Sequence, residues 1–304
     1  MTGLKNFVKN NKFLTGAVLA ALVLTNMAFF QLGADIEQHP FPQEYRIITP
    51  RVPDSAVFCG ERVPLEDFEM RERFERELIV NTYFHSSTIF ALKRVSRWFP
   101  VIEPILKEEG VPDDFKYLAV IESNLANGVS PAGAVGFWQI TEYAGKKYGL
   151  EINDQVDERY NVEKSTRAAC KYLKEAYEKF NSWTLAAASY NFGVNGIINQ
   201  MSRQRVNTYY DLLLGEETGR YIFRILAMKE ILNHPENFGY NIPAGELYPP
   251  LNVKMVEIDS SVSNWAEFAG KQGITYQKLK YYNPWLRDTL LLNKNKKKYQ
   301  LKMP

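Results

Sequence analysis

A chain of 304 residues has room for one large domain and one small one. Its hydrophobic share of 45% and charged share of 24% are ordinary for a folded globular protein. A net charge of +2 gives no support to a nucleic-acid partner, and no basic-aromatic motif or zinc spacing adds any.

The N-terminus carries Lys5, Lys9 and Lys12 ahead of a mostly apolar stretch from Phe13 to Phe30, a pattern that favours an export signal over a core helix. The stretch is longer than a usual signal core and just long enough to span a bilayer. A small-residue cleavage site ending at Ala34 has Leu32 poorly placed two residues before it. Residues 1–34 are therefore expected to be a retained membrane anchor with the body outside the cytoplasm, a cleaved signal being the alternative. Residues 35–64 hold Pro40, Pro42, Pro50, Pro53 and Pro64 with few periodic apolar positions, which predicts an extended tether.

Helical signals then dominate to about Leu232. One helix is expected from Glu66 to about Phe84, a second from Ser87 into Trp98 and Phe99, and a third from Val101 to a stop at Gly110. Pro112 opens a helix that runs to Ser123. The glycines and Pro131 make residues 124–139 a loop. Val162, Ala169, Leu173, Ala176 and Phe180 mark an amphipathic helix. Residues 183–191 form a short alanine-rich helix stopped by Gly193, and Tyr221, Ile225, Met228 and Leu232 mark another with Glu216 and Glu217 at its start. From about residue 251 the pattern becomes strand, helix, helix, strand, a separate small α+β module.

Glu122 is the residue out of place. Phe115, Leu118, Ala119 and Glu122 share one helical face, and Tyr117, Val120 and Ile121 cover most of the rest. A carboxyl on such a helix is desolvated and lies near the helix C-terminus, and both effects raise its pKa. A carboxyl still protonated near neutral pH suits a general acid. A structural Glu paired with an Arg or Lys is the competing explanation.

The three histidines, His39, His85 and His234, are scattered, and Cys59 and Cys170 fit no metal or redox motif, so no metal or organic cofactor is expected. One disulfide between the cysteines is open if the compartment is oxidising. No P-loop, nucleophile elbow or dinucleotide fingerprint is present. The basic run at residues 293–298 reads as a solvated turn.

Glu122-Ser123, the run Gly133-Ala-Val-Gly136-Phe-Trp-Gln139-Ile140, and Ala188-Ser-Tyr190-Asn191-Phe-Gly193 occur in an order that resembles the lysozyme-like lytic transglycosylases of bacterial peptidoglycan. The D-type membrane-bound murein transglycosylases are the most similar subgroup, through residues 157–169 and Glu217-Thr-Gly-Arg-Tyr221 as well. The resemblance covers roughly residues 67–250. It implies a mainly α protein, with a lysozyme-like helical catalytic domain at 65–250 and a small α+β, LysM-like module at 251–304. The module's likeness rests on element order and Asn283-Pro284, while Asp259-Ser-Ser-Val stands where a glycine-aspartate turn is usual.

The resemblance further implies that Glu122 protonates the oxygen between N-acetylmuramic acid and N-acetylglucosamine. Glu122 then acts as base on the muramyl C6 hydroxyl, giving a 1,6-anhydro end without water. Ser123, Gly136, Gln139, Tyr190, Asn191, Glu217 and Tyr221 are the implied substrate-binding residues. Gly136 would let a sugar approach the backbone, with a tight turn as the alternative, and Ser123 would bind substrate, orient Glu122 or cap the helix. Phe137 and Trp138 would stack on sugars or pack beneath the loop. Implied partners are peptidoglycan glycan strands and, through the N-terminal segment, the membrane. The implied location is the periplasmic side of the cell envelope. Two alternatives stand: a hydrolytic muramidase using Glu142 or Asp157 as second carboxylate, and a non-catalytic peptidoglycan-binding scaffold.

Overall fold

Phe58 explains why the chain ahead of the first long helix is not simply a tether. In the computed structural model, which describes residues 47–304, it lies in a hairpin of β1 (Ala56–Phe58) and β2 (Glu61–Val63) turning through Cys59 and Gly60, both with positive φ. Phe58 is fully buried, edge-on to Phe115 at 5.5 Å between ring centres, and this burial contributes about 2 kcal/mol. The Cys59 amide donates to Asp114 Oδ2 at 2.7 Å, while the Glu61 carboxylate accepts the Trp183 and Thr184 amides. The last third of the expected 35–64 tether is thus stapled to two helix starts. The expected anchor at 1–34 lies outside the described residues, and among the described residues no helix is long and apolar enough to cross a membrane.

Asp67 caps α1 (Phe68–Tyr83) by accepting the Glu69 and Met70 amides. The two helices expected at 87–99 and 101–109 are one, α2 (His85–Glu108), which runs through Pro100 and Pro104. Proline inside a helix costs a backbone hydrogen bond, but Ala91, Leu92, Ile102, Ile105 and Leu106 are buried on both sides of Pro100 and hold the rod together. Pro112 is not the first α-helical residue: a 3-10 turn, Asp113–Phe115, leads into α3 (Lys116–Ser123). Asn124 ends α3 in the left-handed region, which Asn tolerates better than most residues.

After the 124–141 loop come α4 (Glu142–Lys147), α5 (Val162–Phe180), α6 (Trp183–Phe192) and α7 (Val194–Gln204). Residues Thr184 to Ser189 of α6 are all buried, and its three alanines let α5 and α8 lie close. Gly193, at φ +79°, ends α6, yet the chain re-enters a helix at once as α7. Helix α8 (Glu216–Asn233) packs on α1, α3 and α6 and is buried around most of its circumference, as a central helix must be.

The C-terminal module pairs β3 (Lys254–Ile258) antiparallel with β4 (Tyr299–Met303), Lys254 opposite Met303 and Ile258 opposite Tyr299. Between them lie α9 (Trp265–Lys271), capped by Asn264, and α10 (Tyr276–Tyr282), capped by Thr275. Trp265, Ala269, Leu279 and Leu301 form its core. The whole is a mainly helical domain with a small α+β module.

Candidate active site

Helix α3 delivers Glu122 in its last turn, and α8 delivers its partner. The Tyr221 hydroxyl donates to Glu122 Oε1 across 99 residues of sequence. Tyr221 is buried, and burial together with the Glu122 charge keeps its phenol well above its usual pKa, so it stays a protonated donor. Burial raises the Glu122 carboxyl above the ordinary glutamate range. The Tyr221 hydrogen bond and the charge of Arg224 oppose that rise, and Glu217 adds to it. Arg224 lies three residues beyond Tyr221 on the same helix, and its guanidinium donates to the Ile121 carbonyl at 3.3 Å. No cation forms an ion pair with Glu122 among the described residues.

Beside this pair, the 133–140 loop gathers the next group. Ser123 Oγ donates to the Phe137 carbonyl at 2.8 Å and also faces the Ala119 carbonyl at 3.2 Å, so it ties α3 to the loop. The Tyr190 hydroxyl donates to the Trp138 carbonyl at 2.7 Å, which brings α6 to the same loop. Gln139, at φ +45°, turns its amide nitrogen onto the Gly136 and Gly128 carbonyls.

Gly136, Phe137 and Trp138 each had two readings, a sugar contact or a packing role, and each has a packing contact in the fold. Gly136 is buried at φ +78°, and a Cβ there would stand 2.3 Å from the Arg159 carbonyl oxygen. On the Cβ side it is glycine to admit the protein's own backbone. Phe137 and Trp138 are likewise buried and pack beneath the loop, Trp138 Nε1 donating to Thr166 Oγ1 at 2.9 Å.

The third group joins α6 to α8. Asn191 Nδ2 donates to Glu217 Oε1 at 2.9 Å, and Thr218 Oγ1 donates to Asn191 Oδ1 at 2.7 Å. Glu217 is exposed and Asn191 half-buried, so this cluster meets solvent while Tyr221 does not.

The carboxylates considered as second catalytic groups are both engaged. Glu142 is exposed and paired with Lys146. Asp157 is buried and takes Arg159 through both oxygens, at 2.9 and 2.7 Å. Among the described residues no group of three or more His, Cys, Asp or Glu is placed to hold a metal ion. Cys59 and Cys170 are free thiols, and burial pushes Cys170 up to about 12.

Sequence reasoning missed Arg224, Arg159 and Thr218. The first had a signal, its helical spacing from Tyr221. Arg159 and Thr218 lay inside matched motifs, but no role could be read for them, because their partners are on other segments of the chain.

Comparison with known proteins adds ancestry to this geometry. Residues 99–212 match the transglycosylase SLT domain family, and residues 254–304 match the soluble lytic transglycosylase C-terminal LysM-like domain. The first match contains Glu122, Ser123, Gly136, Gln139, Tyr190 and Asn191, and ends before Glu217 and Tyr221. Membrane-bound lytic murein transglycosylase D of Escherichia coli K12 is 28% identical over 247 residues, 78% of this chain and 53% of that protein. A putative tributyltin chloride resistance protein of an Alteromonas species is 28% identical over 99 residues, 32% of this chain and 48% of that protein. The chain spans about half the length of the curated relatives it matches. Among solved structures, an inactive mutant of lytic transglycosylase Slt from Pseudomonas aeruginosa overlaps 61% of this chain and 36% of that one, at 18% identity and a TM-score of 0.40. The chain is thus similar to transglycosylase SLT domains over residues 99–212, to LysM-like domains over residues 254–304, and to the Escherichia coli murein transglycosylase over 78% of its length.

Proposed function

We propose that this chain is a peptidoglycan lytic transglycosylase in which Glu122 serves as both acid and base. The observation that carries the reading is the state of that carboxyl. It is raised by burial, held through one oxygen by a neutral hydroxyl, and without an ion-pair partner among the described residues. With Tyr221 occupying Oε1, the acidic proton sits on Oε2. From there it passes to the oxygen linking N-acetylmuramic acid to N-acetylglucosamine as that C–O bond breaks. The carboxylate left behind takes the proton of the muramyl C6 hydroxyl while that oxygen closes onto C1. The products are a free N-acetylglucosamine end and a 1,6-anhydro end, and Glu122 is reprotonated. An internal hydroxyl in place of water gains effective molarity, and the same raised pKa serves donation and recovery of the proton.

A hydrolytic muramidase needs a second carboxylate to hold a water or form an ester. The pairing of Glu142 with Lys146 and of Asp157 with Arg159 weighs against that route. Gln139, Asn191 and Glu217 are the polar groups reached by solvent that would trade internal bonds for sugar hydroxyls and acetamido groups. Ser123 and Tyr190 would shape the site by holding the loop, Gly136 by fitting it, and Tyr221 by orienting Glu122.

The reading carries a domain plan: an anchor or signal at 1–34, a linking segment, a catalytic domain at 65–250 and the LysM-like module from 251. It places the body at the cell envelope on the periplasmic side, with glycan strands as substrate. The test is mass spectrometry of the fragments that the purified protein releases from peptidoglycan. Anhydro-muramyl ends that disappear with Glu122→Gln support the reading. Reducing ends would mean a hydrolase, and glycan binding without products would mean a scaffold.

A further inference from the structure

The C-terminal module does not hang from the helical domain as a separate arm. Its apolar core is completed by Val135, Val156 and Tyr160 of the helical domain. Backbone joins backbone as well: Val156 and Leu286 form an antiparallel bridge. The Asp157 amide donates to the Trp285 carbonyl at 2.9 Å, and the Arg287 amide donates to the Gln155 carbonyl at 2.8 Å. The Arg287 guanidinium lies 4.1 Å from the centre of the Tyr160 ring. Lys297 and the Tyr299 hydroxyl both bond Glu151, and Lys302 bonds Glu163. A module on a mobile linker would present few such contacts, since domains move relative to each other unless their interface is large and apolar.

The segment seated in this way carries Arg159. Its guanidinium is buried, forked onto Asp157, and its NH1 donates to the Gly133 carbonyl at 3.1 Å and the Ile140 carbonyl at 3.3 Å. Gly133 and Ile140 are the two ends of the loop that receives Ser123 at Phe137 and Tyr190 at Trp138. The Arg159 carbonyl also fills the space beside Gly136. One side chain and its own carbonyl therefore hold both ends and the middle of that loop. The contacts run without a gap from Trp285 and Leu286, through Val156 to Arg159, into the loop that carries the Ser123 contact of the Glu122 helix.

We propose that the C-terminal module is a structural part of the active site, and that Arg159, seated on it, is a positioning residue for the 133–140 loop. This rests on the transglycosylase reading above. A lysine at 159 keeps the charge but not the planar fork that reaches Asp157 and two carbonyls together. Removing the Leu286 side chain opens a gap under Val156 and loosens the same loop from the module side.

The experiment uses the full chain and soluble, uncross-linked glycan strands. It measures kcat and KM together with amide hydrogen exchange over residues 133–140, for wild type, Arg159→Lys, Arg159→Ala, Leu286→Ala and Met255→Ala. Misplacing reacting groups by a fraction of an ångström costs about ten- to a hundredfold in rate. The expected result is a loss of that size in kcat for the Arg159 and Leu286 variants, with KM nearly unchanged and faster exchange across the loop. Millimolar guanidinium should restore part of the Arg159→Ala rate. Met255 is exposed on β3 and its replacement should leave kcat and exchange alone. Unchanged kcat in Leu286→Ala, or a loss carried wholly by KM, would overturn the proposal and make the module a binding arm. Should Arg159→Ala not fold, Arg159→Lys and Leu286→Ala decide alone. A wild type that yields no anhydro product would sink the transglycosylase reading instead. The exchange data would still judge the coupling, unchanged protection in Leu286→Ala refuting it.

Discussion

Glu122 and Asp157 are both acids drawn away from solvent, and each reaches the 133–140 loop through a neighbour, Ser123 beside the one and Arg159 paired with the other, yet their surroundings are opposed. Asp157 receives a guanidinium through both oxygens and the amide of Arg159 besides. Glu122 receives one neutral hydroxyl, and the nearest cation, Arg224, gives its hydrogen bond to a backbone carbonyl instead. Asp157 is the more buried of the two, so depth of burial alone does not make a carboxyl suited to move protons; the partner does. A guanidinium locks the charge in place, whereas a phenol orients the group and leaves a proton free to come and go.

The contrast can be broken most forcefully at Glu122. Replacing it with Gln should cost about 10²–10⁴-fold in turnover, the usual span for a general acid. Stability should move the other way. A folded-state carboxyl pKa above the unfolded one contributes stability that is present below the unfolded value and is lost as pH rises through the folded value. Glu122→Gln should therefore melt higher than wild type at neutral pH, the gap closing below about pH 4. A mutant less stable at pH 7 would contradict the assignment.

At Asp157 a substitution should destabilise the fold. Asp157→Ala strands a buried guanidinium and should lose on the order of 3 kcal/mol in chemical denaturation. No loss would mean that the pair holds nothing. Gly136→Ala tests the loop that Ser123 and Arg159 hold. A positive φ and a Cβ 2.3 Å from the Arg159 carbonyl should together cost about 3 kcal/mol, and normal stability would mean the backbones can part. The smallest effect is expected for Tyr221→Phe. Loss of one hydrogen bond to a charged group should slow turnover about tenfold. Because that bond lowers the Glu122 pKa, the alkaline limb of the rate profile should also move to higher pH. A limb that moves to lower pH would count against Tyr221 as the orienting donor.

Much of the site was legible in the chain because its residues sit on helices with clear periodicity. Glu122 stood out as a charge on an apolar helix, and Tyr190, Asn191, Glu217 and Tyr221 followed from ordered motifs. Gly136 had two readings, sugar approach or a tight turn, because a sequence reveals that backbone must approach, but not whose; the Arg159 carbonyl is the neighbour the fold supplies. The hairpin at 56–63 was hidden by the prolines around it, and its hold on the domain comes from Phe58 and Glu61, whose partners lie about 55 to 120 residues away. The break expected at Pro100 did not occur, because apolar burial on both sides of it outweighs the lost hydrogen bonds. Helix α7 was missed because Gly193 reads as a stop and gives no sign of an immediate restart. The junction between domain and module was illegible for a different reason. It is built from backbone bridges, which leave no pattern in side-chain identity, and from side-chain pairs more than a hundred residues apart, such as Lys297 with Glu151 and Lys302 with Glu163, which local spacing does not reveal.

The proposed chemistry turns on the protonation of one carboxyl, and carbon-13 NMR of glutamate side chains across pH reads it directly. The Glu122 resonance, identified by its absence in Glu122→Gln, should titrate above the ordinary glutamate value of about 4.3, and higher again in Tyr221→Phe. A Glu122 that titrates with the surface glutamates, unmoved by the loss of Tyr221, would contradict the single-carboxyl mechanism.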